Sequence, residues 1–121
     1  MLVGILTVSD RAASGEYDDR SGPLIAAIIE RHTTWKVAQQ TVVPDEVEVI
    51  AGTLRQWALS NLNLILTSGG TGFSPRDVTP EATLQVIDRE ASGIAEALRH
   101  ESLKITRHAM LSRARAGICD K

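Results

Sequence analysis

The chain has one cysteine among its 121 residues, Cys119, so it cannot form a disulfide within itself, a scarcity that fits a reducing compartment. Lysine is nearly as scarce: Lys36, Lys104 and Lys121 stand beside ten arginines in a basic total of thirteen. No lysine follows the glycine cluster, which excludes the G-x-x-x-x-G-K-[ST] phosphate loop, and the glycine spacing is not that of G-x-G-x-x-G. No serine lies in a G-x-S-x-G context, so a nucleophile elbow is excluded as well. Apolar runs of membrane-spanning length are missing. The opening Met1–Leu6 has no basic segment or cleavage site before it meets Asp10 and Arg11, and it reads as a strand rather than a signal peptide. A net charge of −2 and a pI near 5.9 argue against broad binding to nucleic acid or acidic membranes. With 43% hydrophobic and 23% charged residues, the expectation is one cytoplasmic globular domain over residues 1–121, large enough to bury a core without staples.

What the sequence does contain is concentrated between Leu64 and Thr83. A short apolar run, Leu64-Ile65-Leu66, has the character of a buried parallel strand. It breaks into Ser68-Gly69-Gly70-Thr71-Gly72, where glycines permit positive φ and let a ligand approach the main chain. Successive N–H groups in such a turn can point at one anion. A glycine cluster after a strand can equally be a bare turn. Favouring the anion site is Arg76 beside Asp77 in the same loop, a phosphate-type donor next to a metal-type acceptor. Thr79-Pro80-Glu81 then reads as a helix start with Thr79 as N-cap.

Along the rest of the chain, Leu2–Val8 predicts a central parallel strand followed by a polar loop, Asp10 to Ser21, that forms either a solvated rim or one wall of a site. Ser21 reads as the N-cap of a helix running to about Arg31, with Leu24, Ile25, Ile28 and Ile29 at helical spacing. Trp35–Val43 predicts a second strand. Asp45, with Glu48 three residues on, has capping-box spacing before a helix whose apolar set is Val47, Ile50, Ala51, Leu54, Trp57 and Ala58. After the glycine loop, a helix is expected from Pro80 to about Glu90 with Leu84 and Ile87 inward. A second is expected from Ile94 to Leu103 with Leu98 inward, and a weakly patterned one from Thr106 to Ala116. The β-α-β-α-β-α order implies an α/β fold, a doubly wound, mostly parallel sheet with helices on both faces.

Six segments together resemble the molybdopterin adenylyltransferase family: Leu6–Asp10, Asp19–Gly22, Val43–Glu46, Leu64–Gly72, Pro75–Thr83 and Met110–Arg113. The family includes a bacterial enzyme and the G domains of gephyrin and of the plant molybdenum-cofactor protein. The resemblance runs the length of the chain, and Gly-Gly-Thr-Gly followed by Pro-Arg-Asp-Val-Thr-Pro-Glu is its most specific part. It implies a three-layer molybdopterin-binding-like fold and transfer of AMP from Mg-ATP to the terminal phosphate of molybdopterin, with release of pyrophosphate. Asp45 and Asp77 match the family's essential acidic positions, which moves Asp45 from a plain cap to a catalytic and Mg-binding candidate. Ser68, Gly69, Gly70, Thr71, Gly72 and Arg76 match its phosphate, pterin or nucleotide contacts, and Thr7, Ser9 and Asp10 a wall of its pocket. A homotrimer and an attached domain for molybdate insertion are further implications.

Family members continue beyond the match to Gly117-Ile118 with a strand, an Asn-Leu/Met-Pro-Gly-type loop and a final helix. The resemblance therefore implies a G-type domain incomplete at its C-terminus, with that strand and helix missing and AMP transfer by residues 1–121 alone in question. A non-catalytic truncated form, or an oligomerising scaffold or pterin-binding module of the same fold, is the alternative expectation.

Overall fold

The computed structural model describes residues 1–119. Five strands and five helices appear among them: β1 (Leu2–Val8), α1 (Asp10–Ala13), α2 (Ser21–His32), β2 (Lys36–Val43), α3 (Val47–Ala58), β3 (Leu64–Ser68), α4 (Thr79–Val86), β4 (Arg89–Glu90), α5 (Ser92–Leu103) and β5 (Gly117–Ile118), with a 3-10 turn over Arg107–Leu111. β1 is central and pairs in parallel with β2 on one side and β3 on the other. The registers run from Val3↔Val37 to Val8↔Val43 and from Val3↔Leu64 to Thr7↔Ser68, so all three strands end at the same edge.

The run Val3–Val8 is buried throughout because helices cover both faces of its strand. Leu6 and Val8 face Ile50, Ala51, Leu54 and Trp57 of α3 and Ala82 of α4. Val3 and Ile5 face Ile29 of α2, with Ile25, Val37 and Leu64 packed around them. The α/β fold with a parallel sheet and helices on both faces is therefore the observed one. At ~1.5–3 kcal/mol for each fully buried large aliphatic side chain, these two clusters hold β1 and its neighbours in register. Gly4 is glycine because Trp57 and Leu62 close over it: a Cβ there would stand 2.8 Å from Leu62 Cδ1 and Trp57 Cε3.

Several boundaries differ from expectation, each for a local reason. α2 starts at Ser21, but its N-terminal donor is satisfied by Asp19, whose Oδ1 accepts from Gly22 N at 3.1 Å, so Ser21 is not the cap. Its inward stripe is Ile25 and Ile29, which leaves Leu24 and Ile28 exposed. The segment after β1 is partly helical, since Ser9 Oγ caps Ala12 N at 3.2 Å and starts α1. Glu46, not Asp45, occupies the N-cap of α3 and makes no side-chain cap bond, because the Asp45 carboxylate is engaged elsewhere.

α4 ends at Val86 and packs through Val78, Ala82 and Val86, so Leu84 lies outward. Beyond it the chain extends, and Arg89–Glu90 pairs antiparallel with Gly117–Ile118 instead of continuing the helix. In α5 the buried residue is Ala95, and Leu98 is exposed. The closing helix shrinks to the 3-10 turn, capped by Thr106 Oγ1 at His108 N, and residues 112–116 are irregular before β5. None of the described helices is long and apolar enough to cross a membrane.

Candidate functional site

Three parallel strands that end together expose their last carbonyls and amides at one edge, and the loops leaving that edge build the site. β1 delivers Thr7, Ser9 and Asp10, β2 leads through Pro44 to Asp45, and β3 leads through Ser68 into the glycine loop. Between them lies an open cleft of about 590 Å³. Of the residues predicted from sequence, Thr7, Ser9, Asp45, Ser68, Gly69, Gly70 and Asp77 line it. Asp10, Thr71, Gly72 and Arg76 are not among the lining residues; Asp10 and Arg76 pair with each other at its rim, both part-exposed.

Gly69 and Gly70 have φ of 94° and 69°. The left-handed conformation alone would cost an L-residue about 1–2 kcal/mol at each position, and the surroundings leave no space for a side chain. A Cβ on Gly69 would run into the Val8 carbonyl oxygen, and one on Gly70 into the Thr79 hydroxyl, with Asp45 Oδ1 at 3.1 Å. The loop is fixed from behind. Thr79 is buried; its hydroxyl donates to Gly69 O at 2.8 Å and its amide to Gly70 O at 3.0 Å. The predicted cap hydroxyl is thus a donor to the glycine loop, and Val78 takes the N-cap of α4.

Arg113 makes the second attachment. Its amide donates to Thr71 O at 2.8 Å, Nε to Gly72 O at 2.7 Å and Nη2 to Asp77 O at 2.7 Å, while Nη1 pairs with Glu81 Oε2 at 2.9 Å. Asp77 is held at its other end by Ser74, whose amide donates to Asp77 Oδ2 at 2.9 Å. Glu81 titrates below the usual carboxylate range because Arg113 donates to it, and the Arg113 guanidinium is raised in turn.

Beside the glycine loop, Asp10 and Asp45 exchange bonds: Asp10 N donates to Asp45 Oδ2 at 2.7 Å, and Asp45 N to Asp10 Oδ1 at 2.9 Å. Arg76 closes on Asp10 with both Nη2 to Oδ1 at 2.8 Å and Nε to Oδ2 at 3.0 Å. Those Arg76 bonds, followed by the Asp45 amide, hold the Asp10 carboxyl below its ordinary value, and Arg76 is raised by the same pairing. Asp45 behaves oppositely. Burial pushes its carboxyl up, and the negative charges of Asp10 and Asp77 add to the rise. A divalent cation would relieve such a site, and one or two carboxylates plus waters and substrate phosphates is a usual Mg²⁺ donor set. Asp45 and Asp77 fit that set. No cluster of three or more histidine, cysteine, aspartate or glutamate side chains able to hold a metal occurs among the described residues.

Sequence reasoning gave no site role to several residues of this region, Tyr17, Asp19, Arg20, Thr79 and Arg113 among them. Asp19 and Tyr17 line the cleft: Asp19 Oδ2 accepts from Thr7 Oγ1 at 3.0 Å, and the Tyr17 hydroxyl lies 3.2 Å from Ser9 Oγ. Thr79 and Arg113 fix the glycine loop. Arg113 and Asp19 fell inside recognised segments, Met110–Arg113 and Asp19–Gly22, which was the available signal, but nothing in their spacing said what they touch.

Comparison with known proteins places these features. A family described as "Probable molybdopterin binding domain" matches residues 4–119. Gephyrin from Dictyostelium discoideum is 46% identical over 129 residues, covering 99% of this chain and 18% of gephyrin. The molybdopterin adenylyltransferase of Haemophilus influenzae is 42% identical over 115 residues, covering 93% of this chain and 58% of that protein. The crystal structure of the molybdopterin biosynthesis enzyme MoaB from Thermus thermophilus superimposes with a TM-score of 0.88 at 46% identity, covering 98% of this chain and 74% of that one. The chain thus spans under three-fifths of the length of the H. influenzae adenylyltransferase and less than a fifth of gephyrin.

Proposed function

The chain belongs to the probable molybdopterin-binding domain family, and from that premise we propose that it acts in molybdenum-cofactor biosynthesis by adenylylating molybdopterin with Mg-ATP. An oxygen of the terminal phosphate of molybdopterin forms a bond to the α-phosphorus of ATP. The bond from that phosphorus to the pyrophosphate bridging oxygen breaks, and its electron pair leaves with pyrophosphate. Two anions must meet for this to happen, so the site has to position phosphates and offset their charge.

The observation that carries the reading is the convergence of Asp45 and Asp77 with Gly69 and Gly70 on one cleft, where burial and neighbouring negative charge both resist ionisation of Asp45. Mg²⁺ held by Asp45 and Asp77 supplies Lewis-acid neutralisation of the phosphates when bound. The protein's own part is to cradle a phosphate on the glycine-loop amides and to orient the pterin or nucleotide along the wall of Thr7 and Ser9. Arg76, exposed and paired to Asp10, is the side chain free to exchange a carboxylate for a phosphate.

The test is incubation of the protein with α-labelled ATP, Mg²⁺ and molybdopterin. Transfer of label to molybdopterin with one pyrophosphate released per label is the expected result. Molybdopterin binding without any transfer would replace the enzyme reading with a pterin-binding module of the same fold.

A further inference from the structure

The glycine loop is anchored one-sidedly, and the anchoring has a direction. Four consecutive carbonyls accept bonds from inside the protein: Gly69 O and Gly70 O from Thr79, Thr71 O and Gly72 O from Arg113. Across a trans peptide the carbonyl and the following N–H point in opposite directions. Tying those four carbonyls back therefore turns the N–H groups of Gly70, Thr71, Gly72 and Phe73 away from Thr79 and Arg113. None of the four donates to an acceptor among the described residues. Backbone donors without acceptors in a partly exposed loop are the complement of an anion, whose charge is favoured where several N–H dipoles are presented together.

Arg113 does more than satisfy a carbonyl. Its guanidinium spans the base of the loop from Gly72 O to Asp77 O, so both ends of the segment between the glycines and the cleft-lining carboxylate hang on one side chain. The Asp77 carboxylate lies close against this backbone, since a Cβ on Gly72 would stand 2.7 Å from Asp77 Oδ2. Glu81 on α4 fixes the guanidinium plane through Nη1 and Nη2, at 2.9 and 3.3 Å. A planar fork with several donors can hold two carbonyls and a carboxylate at once, which lysine cannot.

We propose that Arg113 is a positioning residue of the anion site: by holding Gly72 O and Asp77 O it presents the loop amides to a phosphate and fixes the Asp77 carboxylate beside them. This rests on the reading of the glycine loop as a phosphate cradle. It adds that the cradle depends on a side chain in the irregular segment after the 3-10 turn, 36 residues beyond Asp77 in sequence.

The experiment is an amide-resolved NMR titration of the full chain with inorganic pyrophosphate, run on wild type, Arg113→Lys and Thr79→Val, with thermal melting in parallel. In wild type, the amides of Gly70, Thr71 and Gly72 shift together with one affinity. In Arg113→Lys the β1 and α3 amides keep their positions while pyrophosphate affinity falls at least tenfold. Thr79→Val, which loses only the bond to Gly69 O, weakens binding less. A merely structural role for Arg113 would lower the melting temperature and leave the affinity of the folded protein unchanged, and that result overturns the inference alone. Absence of any shift at the three loop amides in wild type overturns the phosphate-cradle reading and this inference with it. Should Arg113→Lys not fold, Arg113→Gln, which keeps a neutral amide NH₂ as donor for these carbonyls, carries the same expectation, and unchanged affinity in it is equally contradictory.

Discussion

Asp10 and Asp45 hold each other by reciprocal main-chain to side-chain bonds, 2.7 Å from Asp10 N to Asp45 Oδ2 and 2.9 Å from Asp45 N to Asp10 Oδ1. The ends of two adjacent parallel strands are thereby locked, and two carboxylates that repel each other are kept side by side. Their environments then separate them. Asp10 has Arg76 and ionises more readily than an ordinary aspartate, whereas Asp45 is partly desolvated and ionises less readily.

For Asp10, the consequence is acid sensitivity. A carboxyl whose folded-state pKa lies below its unfolded value of about 3.9 contributes stability above that value and loses it as pH falls through the folded pKa. Asp10→Asn should therefore melt below wild type at neutral pH, and the gap should narrow as the solution is acidified below about pH 3.9 and close once the pH is below the folded-state pKa. Melting curves across that range check it; a gap of constant size would show that the Arg76 pairing contributes nothing.

Asp45 carries the opposite sign. Its folded pKa is raised, so its contribution is most favourable below the unfolded value and is lost as pH rises through the folded pKa. Asp45→Asn keeps an oxygen to accept from Asp10 N and removes the charge. The variant should melt no lower than wild type at neutral pH, and added Mg²⁺ should stabilise wild type but not the variant. Calorimetric scans with and without Mg²⁺ decide this, and a variant that melts several degrees lower would be evidence against an unrelieved charge at this position.

Two glycines of one loop should respond differently to alanine. Gly70→Ala forces a Cβ into the left-handed region, costing about 1–2 kcal/mol, and against the Thr79 hydroxyl that holds the loop, so melting should drop by several degrees. At Gly72 φ is not positive, and the added methyl meets only the Asp77 carboxylate. Gly72→Ala should keep the melting temperature within a degree or two of wild type, about the scale of an ordinary surface change, while AMP transfer falls about tenfold or more, the loss expected for a misplaced catalytic group. Equal thermal losses with equal residual activities would remove the distinction.

The parts of this architecture that were legible in the sequence were local. β1 could be read because a strand buried on both faces is continuously apolar, and α3 because Ile50, Ala51, Leu54 and Trp57 repeat at helical spacing. The glycine loop announced itself through Gly69 and Gly70, the two positions beside the cleft where positive φ is used. The capping-box spacing of Asp45 and Glu48 points to a cap, and only the family resemblance points to the site; the atom that uses the carboxylate, Asp10 N, lies 35 residues away.

Thr79 was recognised as a helix-start residue, yet its hydroxyl donates backward to the loop instead of accepting from its own helix. Arg113 could not be assigned a contact at all, since a side chain that bridges two distant carbonyls leaves no periodic trace. Leu84 and Leu98 point outward because helix phase is set by where the helix begins and what it packs on, and a run of apolar residues alone leaves that phase open.

The most direct test of the central claim is the rate of AMP transfer by Asp77→Asn beside wild type, with melting temperature recorded for both. Asn can still accept from Ser74 N through its amide oxygen, so the loop keeps its shape and the negative charge alone is lost. If Asp45 and Asp77 jointly carry the cation that offsets the phosphates, the variant melts like wild type and its transfer rate falls by about two to three orders of magnitude, as for loss of a key electrostatic group. Near-normal turnover of Mg-ATP and molybdopterin by the Asp77→Asn protein would contradict the account.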